Sequence, residues 1–202
     1  MEKSTTGNTT RLCGSVDGKP DFSHISRNRK YFIFPLRVPR LSGAEDVINI
    51  VCDEEKMRSM EPDGSPMLRV TGELRSYNNK SGVGNRLLIF VFANEMEFCD
   101  GEPENSISLC GTVCKQPSLR MTPLGREICD ILLAVNRPFG RSDYLPCISW
   151  GQNAREASQW NVGDTIELEG RIQSRNYIKS ADNGQVRKTA YEVSASSVDK
   201  IN

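Results

Sequence analysis

The chain lacks the features that mark membrane-spanning, secreted and metal-binding proteins. None of its apolar runs approaches the roughly 20 residues that a membrane helix requires, and its first ten residues contain no apolar stretch of the signal-peptide type. We therefore expect a cytoplasmic protein. Histidine occurs once, at His24 in a polar loop, and no two cysteines are spaced as CxxC. These absences predict no metal site, no cofactor and no enzyme activity.

Cysteine and charge exclude two further classes. The seven cysteines are odd in number and lie mostly inside apolar segments, which is typical of reduced core thiols rather than of a disulfide framework. The net charge is zero: residues 1–104 carry 14 basic and 16 acidic side chains, and residues 105–202 carry 12 and 10. This small difference in net charge between the two halves does not by itself predict nucleic-acid binding, because nucleic-acid-binding domains usually carry a larger excess of basic residues.

The sequence contains an internal repeat. LCGSV at 12–16 returns as LCGTV at 109–113, and FPLRVPR at 34–40 returns as ILLAVNR at 131–137, both at an offset of 97 residues. Asp46 meets Asp143 at the same offset, and GELRS at 72–76 meets GRIQS at an offset of 98. A period near half the chain is too long for a solenoid. We predict two copies of one domain, spanning 1–104 and 105–202.

Secondary-structure signals in the second copy follow the order of an OB-fold. Three predicted strands precede a short helix and two further strands. A turn region is predicted at Gln116–Pro117 and Thr122–Gly125, and a bend or bulge at Gly170. We expect an all-β protein of two tandem OB-fold, five-stranded Greek-key barrels, each with a short helix between strands 3 and 4. The predicted strands of the second copy are 106–114, 126–137, 144–150, 165–177 and 186–195, and the helices of the two copies are 53–60 and 153–160.

Two predicted strands of the second copy place aromatic and basic side chains outward. In the third strand, alternation puts Leu145 inside and leaves Tyr144 and Trp150 outside. In the fourth strand, Arg171, Arg175 and Tyr177 share one face. Exposed rings beside arginines are typical of proteins that hold single-stranded nucleic acid. Pro146, which lacks a backbone donor, predicts an edge or a bulge in the third strand.

The second copy resembles the bacterial single-stranded DNA-binding protein family. The resemblance rests on several short motifs in order and at family spacing, and it covers the whole second copy. These motifs are PSLRMTPLG at 117–125, LAVNR at 133–137, WG at 150–151, GD at 163–164, EGRIQSRNY at 169–177 and YEV at 191–193. The first copy matches mainly through its repeat partner.

The resemblance implies a function and a set of contact residues. It implies non-catalytic, largely sequence-independent binding of single-stranded DNA in replication, repair or recombination, in the cytoplasm at the nucleoid. The family's stacking positions fall on Phe139, Tyr144, Trp150 and Tyr177, and Arg120 matches a basic position. The full candidate set is Arg75, Tyr77, Arg120, Arg126, Phe139, Tyr144, Trp150, Arg171, Arg175, Tyr177 and Lys179.

Structural alternatives stay open for several of these residues. Trp150 also suits a core position, and Arg171 and Arg175 also suit a solvated strand face. Trp160 and Tyr191 are better explained by packing than by binding. The alternative function is an OB-fold protein–protein adaptor, or a primosome-type accessory factor with weak nucleic-acid binding.

The first copy departs from the family at three stacking positions. At the offset of 97, the first-copy equivalents of Phe139, Tyr144 and Trp150 are Ser42, Val47 and Asp53, respectively. We therefore expect the second copy to dominate strand binding. The basic and aromatic residues that remain in the first copy are Arg37, Arg40, Arg69, Arg75, Tyr77 and Arg86.

The resemblance also bears on assembly. Many family members assemble four OB-folds from four chains, so two tandem chains would supply four, and we expect a homodimer. Replicative members end in a long tail with an acidic tip that recruits other proteins. We expect no such tail here, and the chain is closer to accessory, plasmid-type or phage-type members.

Overall fold

The computed structural model describes residues 7–60, 67–80, 86–181 and 184–201, and within 179–187 it describes the backbone alone. The side chain of Lys179 therefore lies outside the described residues, as do parts of the hairpin tips predicted around residues 78–82 and 180–184. No described helix is long and apolar enough to cross a membrane.

The chain divides into two compact units that are interleaved in sequence. Unit 1 contains Met1–Arg75 and Ile89–Ser108, and unit 2 contains Ser76–Leu88 and Leu109–Asn202. The segment from 76 to 88 thus belongs to unit 2, although it lies in the first copy of the repeat. The boundary between residues 104 and 105 stays a prediction.

The first copy of the repeat forms a closed barrel. Strand β1 is antiparallel to both β3 and β5, β4 is antiparallel to β3, and β4 is parallel to β6. The ring β1-β5-β6-β4-β3 closes, and β2 extends it at β3. The elements are β1 (Asn8–Val16), β2 (Asp21–Ser26), β3 (Arg29–Pro39), β4 (Glu45–Asp53), α1 (Glu54–Ser59), β5 (Met67–Asn78) and β6 (Leu87–Cys99).

The second copy repeats this topology. Its strands follow the order β10-β11-β9-β8-β7, and a further pairing between β10 and β7 closes the ring. Strands β9 and β11 are parallel, as β4 and β6 are in the first copy. The elements are β7 (Glu104–Met121), β8 (Glu127–Arg137), β9 (Arg141–Trp150), α2 (Gly151–Ala157), β10 (Thr165–Ala181) and β11 (Gly184–Lys200).

The predicted fold class is confirmed. Each copy has five ring strands with a short helix between the third and the fourth, which is the OB-fold. Helix α1 begins where the Asp53 carboxylate accepts a hydrogen bond from the Lys56 backbone N at 2.9 Å. Helix α2 begins at Gly151, two residues before the predicted start.

Three local expectations differ from the structure. The turn region is confirmed at Thr122–Gly125, where the Gly125 N donates to the Thr122 carbonyl oxygen at 2.9 Å. Its first part is wrong, because β7 runs through Gln116 and Pro117 with register shifts against β8 between Val113 and Ser118. At Pro146 the pairing of β9 with β8 continues without a shift, so of the predicted edge or bulge the bulge does not form. The pairs of β9 with β11 are Cys147 with Val193 and Ile148 with Ser194, next to Pro146. His24 lies in strand β2 and not in a loop.

The repeated glycines mark close backbone approaches. A Cβ at Gly170 would lie 2.3 Å from the Ser194 carbonyl oxygen, and one at Gly72 would lie 2.2 Å from the Phe92 carbonyl oxygen. The register of β10 against β11 shifts between Glu169 and Gly170, so the bulge predicted at Gly170 is confirmed. Both copies therefore need glycine here, because any side chain would collide with backbone.

Each copy also buries one ion pair at the same place. The Asp46 and Asp143 side chains have no exposed surface, and each accepts two hydrogen bonds from an arginine guanidinium, Arg40 and Arg137 respectively. Each pair sits at the base of the connection between strands 2 and 3 of its ring. In unit 2, the Asp143 carboxylate also accepts from the Ser76 backbone N at 2.6 Å.

We expect Asp143→Ala to destabilise the protein by about 3–5 kcal/mol, because it leaves the partly buried Arg137 guanidinium without a carboxylate and the Ser76 backbone N without its acceptor. The matched control is Asp130→Ala, which breaks the exposed bidentate pair with Arg120 and should cost only about 0–1 kcal/mol. Urea unfolding of both variants provides the measurement. If both variants lose the same free energy of unfolding, burial of the Asp143 ion pair does not determine its contribution to stability, and the prediction is wrong.

Candidate nucleic-acid interface

Strand β9 separates a buried face from an outer face. Asp143, Leu145 and Cys147 are buried, whereas the Tyr144 side chain is 51% exposed and Trp150 is half-buried. This is the alternation that the sequence predicts for the third strand. Ile148 departs from it, because it faces outward but is 4% exposed.

Trp150 occupies the centre of a row that crosses all five strands of the second ring. In the strand register, Arg120 pairs with Ile128, and Ile128 pairs with Trp150. The Trp150 Nε1 donates to the Ser194 Oγ at 3.1 Å, and Ser194 pairs with Arg171. The row therefore places one tryptophan between two arginines, with its ring edge fixed by a hydrogen bond.

Phe139 lies at the tip of the connection between β8 and β9. Its side chain is 88% exposed, and its φ is +67°. A positive φ is unusual for a bulky residue, and it occurs here beside Gly140 at φ +69°. The turn thus presents an aromatic ring to solvent, as stacking on a base requires.

Strand β10 supplies the remaining predicted contacts of unit 2. Arg171 and Arg175 lie on its outer face, since Ile172 between them is 1% exposed and faces the core. Tyr177 continues this face and is 39% exposed. The Arg171 Nη2 donates to the Gln173 Oε1 at 3.3 Å, so the guanidinium lies along the strand surface.

The charges on this face are mixed. Hydrogen bonds from the Arg120 guanidinium to Asp130, at 2.5 Å and 3.0 Å, raise the pKa of Arg120. Arg126 is exposed and forms no ion pair with any described residue. Burial raises the pKa of Glu192, and Asp130 adds to the effect, while Arg175 and Arg120 oppose it. Phosphate would thus meet arginines whose charge is partly compensated.

Arg75 and Tyr77, predicted together, fall in different units. Tyr77 is 58% exposed. Arg75 pairs with Glu73 at 3.0 Å and lies over the Phe92 ring, with its guanidinium carbon 3.9 Å from the ring centroid. Three further first-copy arginines are also held by carboxylates: Arg37 by Asp17 and Glu45, Arg40 by Asp46, and Arg69 by Glu97.

Sequence reasoning missed an aromatic hairpin in unit 1. Strands β2 and β3 pair so that Phe22 contacts Phe32 and His24 stacks on Tyr31. The signal was present as FSHISRNRKYF at 22–32, where three aromatic and three basic residues lie within eleven positions. Trp160, by contrast, is 3% exposed and belongs to the core, as expected. Among the described residues, no three acidic, cysteine or histidine side chains cluster as a metal site would require.

We expect Glu192→Gln to stabilise the protein at neutral pH. Because the folded-state pKa of Glu192 is raised, the stability of the native chain is highest below the ordinary glutamate value and falls as pH rises through the raised value. The variant removes that fall, so its melting temperature should exceed that of the native chain at pH 7 and match it near pH 4.

The matched control for this prediction is Glu156→Gln, which changes an exposed glutamate on α2. The melting temperature of this variant should equal that of the native chain at both pH 4 and pH 7. A Glu192→Gln variant that melts below the native chain at pH 7 would contradict the prediction.

The second copy of the repeat is similar in sequence to known proteins. The model of the single-strand binding protein family matches residues 104–201. A single-stranded DNA-binding protein of Oceanobacillus iheyensis is 36% identical over 103 residues, covering 46% of this chain and 61% of that protein. Single-stranded DNA-binding protein 2 of Listeria innocua is 37% identical over 101 residues, covering 46% and 62%. The chain thus spans about six tenths of the length of these relatives.

A solved structure extends the likeness to both copies. The single-stranded DNA-binding protein from Thermus aquaticus matches with a TM-score of 0.76 at 20% identity, covering 96% of this chain and 93% of that one. At this identity the match shows the fold, which agrees with two OB-folds in tandem. Residues 104–201 are thus similar to the single-strand binding protein family.

Proposed function

We propose that the protein binds single-stranded DNA on the outer face of unit 2 without strong sequence preference. The observation that carries the proposal is the row in which Trp150 lies between Arg120 and Arg171. A partly exposed ring with a guanidinium group two strands away on each side suits a base and the phosphates next to it. The relatives named above, all single-stranded DNA-binding proteins, support this choice of ligand.

The mechanism combines stacking with phosphate neutralisation. Phe139, Tyr144, Trp150 and Tyr177 supply π-faces that accept any base, so the site tolerates different sequences. Arg126 and Arg175 supply positive charge for the backbone. Because phosphate contacts release counterions, affinity falls as salt rises, with a slope of about −0.7 per neutralised phosphate on a single strand. Such binding would serve replication, repair or recombination in the cytoplasm.

One observation favours a second function, that of a protein–protein adaptor. The hairpin between β7 and β8 exposes Leu119, Met121 and Leu124, at 43%, 62% and 85% of their surfaces. Apolar side chains clustered on an exposed tip are typical of contacts with another protein. An adaptor would show no binding of oligothymidylate even at low salt.

We expect Phe139→Ala and Tyr144→Ala each to weaken binding of a fluorescent oligothymidylate by about 5- to 150-fold, since each removes one stacking ring. Val162→Ala is the control, because Val162 is 58% exposed in the turn after α2 and away from the proposed face. Anisotropy titrations at several salt concentrations measure both the affinity and the slope. Unchanged affinity in both variants would exclude this face.

We also propose that two chains form a homodimer and so bring four OB-folds together. The family resemblance supports this, since many members assemble four such domains. Light scattering at several protein concentrations should give twice the chain mass. A mass equal to one chain at all concentrations would overturn the proposal while leaving strand binding intact.

A further inference from the structure

Unit 1 carries a continuous line of three rings and one guanidinium on four of its strands. His24 on β2 stacks on Tyr31 on β3, with centroids 4.8 Å apart and planes inclined by 11°. Tyr31 lies 5.8 Å from the Phe92 ring on β6. Arg75 on β5 covers the Phe92 ring, its guanidinium carbon 3.9 Å from the centroid. We call these four residues the unit 1 ladder.

The unit 1 ladder faces outward. Phe34 and Leu36, which are 1% and 0% exposed, show that the even positions of β3 face the core and that Tyr31 faces the other way. On β6, Val91 and Ala93 are equally enclosed, so Phe92 between them also points outward. His24 is exposed. The rings are therefore not part of the barrel core.

The unit 1 ladder occupies the places that flank Trp150 in unit 2. In the second copy, Trp150 pairs with Ile128 across the strands and bonds to Ser194. In the first copy, Asp53 takes the tryptophan position and pairs with Tyr31. The residue equivalent to Ile128 at the offset of 97 is Tyr31.

The second flanking position follows from the parallel strand pairs. Val51 pairs with Phe92 in the first copy, and Ile148 pairs with Ser194 in the second. Val51 and Ile148 are equivalent at the offset of 97. Phe92 therefore stands where Ser194 stands. The first copy thus has no aromatic residue at Asp53, the position equivalent to Trp150, but it has Tyr31 and Phe92 on the two strands that pair with β4.

The charges around the unit 1 ladder suit a polyanion. The Asp53 carboxylate, which would repel phosphate, is engaged at the start of α1 by the Lys56 backbone N and by the Lys56 Nζ, both at 2.9 Å. Arg29, at the start of β3, is exposed and forms no ion pair with a described residue. Lys30 has only a long contact of 3.8 Å to Glu54.

We propose that the unit 1 ladder is a second binding surface for single-stranded DNA, on which bases stack against His24, Tyr31 and Phe92. The proposal rests on the proposed function for its ligand, but it assigns binding to residues of the copy that the sequence analysis expected to be weak. The parallel arrangement of His24 and Tyr31 is that of stacked bases. The Arg75 guanidinium, which lies on Phe92 and pairs with Glu73 at 3.0 Å, ends the line of rings on that side.

Photo-cross-linking of the full-length protein provides the first test. The probe is an oligothymidylate containing bromodeoxyuridine, long enough to cover both units, and the products are mapped by peptide mass spectrometry. We expect cross-links within 22–32 or at Phe92, besides those to the aromatic residues of unit 2. Cross-links confined to unit 2 would overturn the proposal, and this result does not depend on any variant folding.

A pair of matched variants provides the second test. His24→Ala combined with Tyr31→Leu should shorten the strand length covered per chain and weaken binding of a long oligothymidylate by about tenfold. Phe22→Leu is the control, because Phe22 is 58% exposed on the same hairpin but packs against Phe32 on the opposite face. Thermal melting checks that both variants are folded.

The outcomes separate this inference from the proposed function. If the native chain fails to bind oligothymidylate at low salt, the proposed function fails. If the native chain binds and the double variant covers the same strand length with the same affinity, the unit 1 ladder alone is excluded. If Phe22→Leu and the double variant lose the same affinity for oligothymidylate, the losses come from a disturbed hairpin structure and not from missing stacking rings, and the proposal is overturned.

Discussion

The buried arginine–aspartate pair at the base of the turn between strands 2 and 3 is the constraint on which the rest of each barrel depends. A carboxylate without solvent contact must be held by its guanidinium, so the two strands cannot slip past each other. In unit 2, the Ser76 hydroxyl, which accepts from the Tyr144 backbone N at 2.8 Å, joins this network. Phe139 at the turn tip and Tyr144 beside Asp143 are thereby held by the same few bonds.

A fixed barrel leaves the outer face able to change. Interior positions at the offset of 97 keep their type, as Leu36 and Leu133 do, because the enclosed volume is the same in both copies. Outer positions are not restricted by packing in the barrel. An aromatic residue can therefore be replaced by one on a neighbouring strand, about 5 Å away, without disturbing the core. The replacement of Trp150 by Asp53, with Tyr31 and Phe92 at its sides, is an exchange of this kind.

The sequence was informative where one physical requirement determined one pattern. The repeat and the order of elements predicted both OB-folds, and Gly170 predicted its bulge, because strand pairing and close backbone approach each allow few residues. The break at Gln116 and Pro117 was misjudged because a bulge and a turn use the same residue types. The unit 1 ladder was missed because its members lie far apart in sequence, and only the strand register brings Tyr31 to Phe92.

The two tryptophans of the chain differ in environment and both lie in unit 2. Trp160 is 3% exposed, whereas Trp150 is half-buried with its indole N–H held by Ser194. Solvent quenchers reach the second and not the first, so the intrinsic emission contains one responsive component over a constant background. Because unit 1 contains no tryptophan, this emission reports on the surroundings of unit 2 by itself. The protein thus carries an optical label on one of its two barrels.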